Sequence, residues 1–257
     1  MRPISPAPEG AWPDVQKNEW VSRALGAPAY DLDLRHAPSD PPERIRQALD
    51  EADHALAAAQ ARMAAARVAP GNVDLIGECE RHGFVYVETA LGLELPLKGD
   101  GRYSRYLRFP VRPAAAEDLP ALAGIGAVAF TENRFMTDRR FPPEAVARYY
   151  TNWLEDSFAR ETDDIYVLDA AGGIEGFYIV RRLDERRADL LLAGVRRDER
   201  ASFYSLPLYA GTFAALAARG FSLGVTEVLA TNLPALNILC LFGARFAHAF
   251  VRLHKWF

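Results

Sequence analysis

The sequence predicts an α/β (α+β) protein, a sheet with helices packed against it. Three observations carry that prediction: strand-like and helix-like runs alternate along the chain, the helices open and close with recognisable caps, and the second half follows the order β-α-α-β-β-β-α-β-α-β. In the first half, "NEWVSRALGAPAYDLDL" ends in an alternation of Tyr30, Leu32 and Leu34, predicting a first strand. "PPERIRQALDEADHALAAAQARMAAAR" then reads as one helix, with prolines at its start and Ile45, Leu49, Ala52 and Leu56 at helical spacing. "NVDLIGECERHG" predicts a short helix closed by Gly83, and "FVYVETALGLELPL" one or two strands. The polar, glycine-bearing connector "KGDGRYSR", residues 98–105, marks the expected domain boundary.

In the second half, "YLRFPVRPA" predicts a strand, and "AAEDLPALAGIGAVAF" and "PPEAVARYYTNWLEDSFAR" predict helices. "DDIYVLDAAGGIEGFYIVRRLDERRADLLLAGV" contains three strands punctuated by "AAGG" and "DERR". A helix from about Ser205 to Arg219 follows, with Pro207 in its first turn, Gly220 as its cap and Tyr209, Phe213 and Leu216 on its apolar face. "LGVTEVLATN" predicts a strand, "LPALNILCLFG" a helix and "RFAHAFVRLHKWF" a terminal strand or hairpin.

Composition narrows the function classes. The 257 residues are enough for one large domain or two modest ones, half of them hydrophobic and a quarter charged, as in ordinary globular proteins. A net charge of −4 argues against general nucleic-acid binding, which calls for a basic surface. Two cysteines imply no disulfide framework. No apolar run approaches the ~18 residues of a membrane span, and the proline-rich leader lacks an apolar signal segment. A cytoplasmic location is therefore expected. The histidines show no paired metal-ligand spacing, and Cys79 with His82 lacks the further ligands of a zinc site.

The element order of residues 106–257, together with "LATNLPALNILCLFGARF", in which a strand ends on Asn before a short helix and a Gly-aromatic turn, resembles the GCN5-related N-acetyltransferase superfamily. "AFTENRFMTDRRFPPEAVARYYTNWLEDSF" is similar to a subgroup typified by TDP-fucosamine N-acetyltransferase of bacterial surface-polysaccharide synthesis. The resemblance implies a mixed sheet flanked by helices, with an N-terminal lobe that is a partial copy of the same fold. It implies a leader (1–18), an N-terminal lobe (19–104) and a C-terminal transferase domain (105–257).

The same resemblance assigns roles by position. Arg134, Asp138, Tyr150 and Trp153 would bind the acceptor. Read from the residues alone, Tyr150 and Trp153 lie three apart on one helix face, a spacing that equally serves a core. Leu192, Ala193 and Val195 would grip the pantetheine arm of acetyl-CoA or another acyl-CoA. The loop and helix start at Arg200, Ala201, Ser202, Phe203, Tyr204 and Ser205, with Asn232, would hold the donor's phosphate end.

Two departures stand out. Phe203 and Ser205 occupy expected glycine positions, so Arg196, Arg197 and Arg200 would have to supply the charge, unless they form a turn balanced by Asp184, Asp198 and Glu199. Leu239 stands where the superfamily often has a tyrosine that protonates the leaving thiolate; Cys240 lies about 100° round the helix. Tyr204, Tyr209 and His254 are the substitute donors, and Glu227 is either a strand base or an exposed carboxylate. Three readings remain open: acyl transfer from acyl-CoA to the amine of a nucleotide-linked amino sugar, the same chemistry with an acyl-carrier-protein donor, or a binding protein that has lost catalysis. The sequence leaves the oligomeric state open, a homodimer among the options.

Overall fold

The computed structural model describes residues 13–34, 42–130, 133–170, 172–196 and 201–257. They fall into two compact units, residues 1–88 with 250–257, and residues 89–249. The division therefore runs through two strands and not through the 98–105 connector.

The first unit holds β1 (Asp14–Lys17), α1 (Glu19–Leu25), β2 (Ala29–Asp33), α2 (Pro42–Ala58), β3 (Met63–Val68) and α3 (Val73–Arg81). It also takes the start of β4 (Val85–Pro96) and the end of β10 (Arg245–Trp256). Asn18 caps α1 by accepting from the Val21 N–H at 2.9 Å, and Gly26 closes it at φ 69°. Strand β2 pairs antiparallel with β1 and parallel with β3, and β3 pairs antiparallel with β10. Ile45, Leu49, Ala52 and Leu56 of α2 form the core with Leu32, Leu75, Val251 and Leu253.

The expected long helix over residues 41–67 is two elements. Helix α2 stops at Ala58, Gln60 takes φ 51°, and the alanine-rich remainder becomes β3. Alanine favours a helix, but Ala64, Ala65 and Ala66 are buried in a strand whose backbone bonds both β2 and β10, and that pairing overrides propensity. The segment 18–34, expected to yield one strand, supplies helix α1 before β2.

The second unit holds the rest of β4, then β5 (Val111–Pro113), α4 (Leu119–Ala129), α5 (Arg134–Thr137) and α6 (Pro143–Ala159). Next come β6 (Asp163–Ala170), β7 (Gly173–Arg182), β8 (Arg187–Val195), α7 (Ala201–Ala218), β9 (Leu223–Leu229), α8 (Leu233–Leu241) and the first part of β10. From β4 the sheet order is β4-β9-β8-β7-β6-β5, antiparallel throughout except for the parallel β8–β9 pair. Helices α7 and α8 cover one face, packing on Tyr166, Leu168, Tyr178, Leu190, Leu93 and Leu95. Helices α4 and α6 cover the other, packing on Ile165, Val167, Phe177 and Ile179.

Three boundaries differ from expectation. Strand β5 keeps only three residues of the 106–114 run, and residues 104–106 form a 3-10 turn. The C-terminus is one strand, β10. Helix α7 starts at Ala201, so Pro207 sits inside it and removes the N–H that would bond the Phe203 carbonyl. The burial of Tyr204, Leu208, Phe213 and Leu216 holds the helix across that missing bond.

The run β3-α3-β4 has a counterpart in β9-α8-β10. In both, an Asn caps the helix (Asn72 accepting from Leu75 N–H, Asn232 from Ala235 N–H) and a positive-φ glycine ends it (Gly83 at 82°, Gly243 at 90°). The outgoing strands are exchanged: β4 pairs with β9, and β10 with β3. No self-similarity was evident in the sequence itself, because the two runs share caps and strand–helix–strand order and little else.

Candidate functional site

A parallel strand pair that opens partway gives each strand an unpaired edge, a place where a ligand's backbone-like amides can bond. The two units differ at that point. In the first, β2 and β3 stay in register over five successive pairs, from Ala29 with Met63 to Asp33 with Arg67. In the second, β8 and β9 pair only as Arg187 with Leu223, Ala188 with Gly224 and Asp189 with Val225. Beyond that the strands continue separately to Val195 and Leu229, making a fork. The Thr226 hydroxyl donates to the Leu190 carbonyl at 2.8 Å, replacing a ladder bond where the strands part. On its other edge β8 stays bound to β7, with Leu191 as an extra residue between the pairs Val180–Leu190 and Ile179–Leu192.

Leu192, Ala193 and Val195 lie on the free arm of this fork and are partly exposed. The strands part at Leu190, just ahead of the three residues expected to grip the pantetheine arm. Gly194 lies on the same arm in close quarters: a Cβ there would come within 3.0 Å of the Phe130 ring and 3.2 Å of Phe177, so those rings would have to give. Phe130 stacks on Tyr150 at 4.3 Å, and Tyr150 on Trp153 at 6.4 Å. The predicted pair Tyr150 and Trp153 is thus carried to the fork arm through Phe130, though both side chains are buried and serve the α6 packing too.

At the foot of the fork runs a charged row across the α4/α6 face. The Arg181 guanidinium on β7 donates to Asp163 on β6 at 2.7 and 2.8 Å, and Arg181 is in register with Asp189 on β8. Burial pushes the Asp189 carboxyl up to about 6, and the charges of Glu227 and Asp163 add to the push while Arg181 opposes it. A carboxylate that titrates near neutrality is suited to taking a proton from an ammonium group. Asp189 was absent from the sequence-based candidates. The signal available was one acid inside the apolar strand "ADLLLAGV".

The remaining predicted residues scatter. Helix α7 begins at Ala201, so residues 201–205 form its first turn and not a glycine-type loop. Phe203 is half-exposed, in helical backbone, with its ring edge-on to Phe109 and beneath Arg108. Positive φ, the reason glycine was expected there, does not occur at Phe203 or Ser205. Arg197 and Arg200, with Asp198 and Glu199, lie outside the described residues; Arg196 is bound by Glu175 at 3.1 Å and by the Ile174 carbonyl. Asn232 accepts from the Ala235 N–H as the cap of α8.

Tyr204 is buried against Phe109, and Tyr209 against Tyr178, where burial pushes its phenol up to about 12, a poor acid. His254 belongs to the first unit, wholly buried in β10 opposite Ala65, and the fork lies in the second. Leu239 is a core residue of α8, which is why no polar side chain stands there, while Cys240 is exposed.

Arg134 is half-buried with its guanidinium 4.6 Å over the Phe135 ring. Asp138 is buried and binds the Arg140 guanidinium at 2.8 and 3.0 Å and its backbone N–H at 3.2 Å, contacts that order the turn after α5. Among the described residues no group of three or more His, Cys, Asp or Glu is arranged to hold a metal ion, and no helix is long and apolar enough to cross a membrane.

The protein has the fold of the GCN5-related N-acetyltransferases, a mixed sheet flanked by helices and opened at one parallel pair. It is similar to a GCN5-related N-acetyltransferase from Sphaerobacter thermophilus (TM-score 0.66, 16% identity, 95% of this chain and 76% of that one). It is also similar to a tandem protein of that fold from the clavulanic acid biosynthesis pathway (TM-score 0.56, 14% identity, 90% and 76%). A functionally unknown conserved protein from Staphylococcus epidermidis ATCC 12228 superposes over more of its own length (TM-score 0.69, 9% identity, 95% and 92%). No protein-family model and no curated protein matches the sequence.

Proposed function

We propose that this chain is an N-acyltransferase that takes an acyl group from acyl-CoA and transfers it to a primary amine. The reading rests on one observation: β8 and β9 part directly after the Asp189–Val225 pair, and the carboxylate at that point is held near neutrality. The acyl-CoA arm would bond the free edge of β8 at Leu192, Ala193 and Val195, and its phosphates would meet the N–H groups of the first turn of α7. Asp189 would take the proton from the acceptor ammonium, freeing the nitrogen lone pair to attack the thioester carbonyl. The nitrogen–carbonyl bond forms, the carbon–sulfur bond breaks, and the second proton, which the nitrogen sheds on becoming an amide, passes to the leaving thiolate.

The acceptor we infer is the amine of a nucleotide-linked amino sugar, the substrate of the subgroup the 129–158 segment resembles, with Arg134 and the Phe130–Tyr150–Trp153 stack on the acceptor side. A carrier-protein donor is the second reading, favoured by the commitment of Arg196 to Glu175, which leaves fewer charges for the phosphates of a free CoA. Thiol release from acetyl-CoA, measured over a panel of amines and nucleotide-linked amino sugars, tests the proposal. The Asp189→Asn variant should bind acetyl-CoA as the parent does and lose roughly 10²–10⁴-fold in kcat. Unchanged turnover in that variant removes Asp189 from the mechanism. Turnover only with an acyl-loaded carrier protein selects the second reading.

A further inference from the structure

If Asp189 takes a proton in each turnover, it must give that proton up, and it sits partly buried in the sheet. The strands beside it offer a way out. Val225 is the register partner of Asp189, so Glu227, two residues further along β9, points to the same face as a diagonal neighbour. The two are close enough that the Glu227 charge raises Asp189. Glu227 in turn is paired in register with Gly92 on β4.

A Cβ on Gly92 would fall 2.1–2.6 Å from three ring atoms of His248, so the imidazole of β10 lies directly on the glycine, beside Glu227. Glycine weakens a strand interior by roughly 0.5–1 kcal/mol relative to alanine, and such a residue commonly marks a close approach of this kind. His248 is exposed to solvent. The row thus runs from two partly buried carboxyls, Asp189 and Glu227, to an exposed imidazole.

We propose that Glu227 and His248 form a proton exit from Asp189 to water, with Gly92 as the seat that admits the imidazole. This inference rests on the acyl-transfer reading above. The proton removed from the ammonium passes from the Asp189 carboxyl to the Glu227 carboxylate, then to the neutral imidazole, which releases it to bulk water; no redox partner is needed. Other charged groups on the face are Arg181 and Asp163, which bond each other, and Glu94, exposed on β4 opposite Val225. None of them carries the row outward through a titratable ring at the surface.

The test uses the full chain, acetyl-CoA and the best amine found for the parent, in dilute non-imidazole buffer. His248→Ala should lower kcat by about tenfold or more, with the melting temperature unchanged and with rate restored by added imidazole. Gly92→Ala, which fills the seat, should reproduce the slow rate. Added to His248→Ala, it should cost nothing further, because both changes remove the same ring from the same place. Glu227→Gln should be slow and should not respond to imidazole, since the break lies inside the row. A His248→Ala variant as fast as the parent, a loss that imidazole does not restore, or additive losses from Gly92→Ala and His248→Ala would overturn the relay. A parent protein that binds acetyl-CoA but acylates no amine overturns the acyl-transfer reading, and the relay falls with it; parent turnover matched by His248→Ala sinks the relay alone.

Discussion

Asp189 carries a stability cost that can be measured apart from any activity. Its folded carboxyl titrates near 6, against about 4 in an unfolded chain, so the native state holds the extra proton between those values. Above pH 6 the group is ionised in both states and the full penalty of burying the charge is present. As pH falls from 6 to 4 the penalty disappears. Asp189→Asn should therefore raise stability at pH 8 by on the order of 1–2 kcal/mol, and this gain should vanish near pH 4. A gain of equal size at both pH values, seen by thermal melts, would assign the effect to packing and not to charge. Arg181 behaves oppositely: its two bonds to the fully buried Asp163 side chain keep that charge compensated. Arg181→Met should cost up to about 3–5 kcal/mol, because it leaves the buried Asp163 carboxylate only the looser Arg160 contact at 3.8 Å and the Thr162 hydroxyl at 3.3 Å.

The fork depends on how its two strands are held on their other edges. Strand β8 is tied to β7 up to Val195, and β9 to β4 up to Leu229, so the opening between them needs no disorder in either. The β8 arm is then fixed from above by Phe130 lying on Gly194. Gly194→Ala would push that ring by a few tenths of an ångström or more into the Tyr150 stack and should cost about 1–3 kcal/mol as overpacking. It should also weaken acyl-CoA binding, because the same arm presents Leu192, Ala193 and Val195. Calorimetry showing parental stability and parental affinity for acetyl-CoA would mean that Phe130 does not position the arm. Helix α7 contributes its N-terminal turn to this region, and Phe203 keeps helical backbone with its ring against Phe109, so the positive φ for which glycine was expected is not used.

The first unit takes its last strand from the far end of the chain. In the first unit β10 pairs with β3 over six residues, from Val251 with Val68 to Trp256 with Met63, and brings Val251 and Leu253 into the core. It also brings Arg252, paired with the buried Glu88. A chain ending at Ala249 loses all of this. Hydrogen exchange should then show β3 amides unprotected, whereas retained protection in β3 would mean that β2 and α2 suffice to hold it.

Much of the second unit was legible because its signals are local. Short apolar runs between the turns "AAGG" and "DERR" mark β6, β7 and β8; Pro143 and Gly220 punctuate α6 and α7; Asn232 caps α8. Element order followed, and with it the fold class. The first unit was harder to read, because the alanines of β3 favour a helix in isolation and become a strand only when β2 and β10 are paired on either side. The site was the least legible part. Leu192, Ala193 and Val195 were placed through a resemblance, but the reason they are available is that β9 stops pairing at Val225, a fact of tertiary register. Asp189, Glu227, Gly92 and His248 stand 97, 135 and 156 residues apart along the chain when counted from Gly92 to the other three, and no local pattern links them. Which segments prefer strand or helix follows from neighbouring residues and can be read along the chain. Which strands meet, where they part and which charges share a face depend on contacts that hydrophobic burial creates between distant parts of the chain.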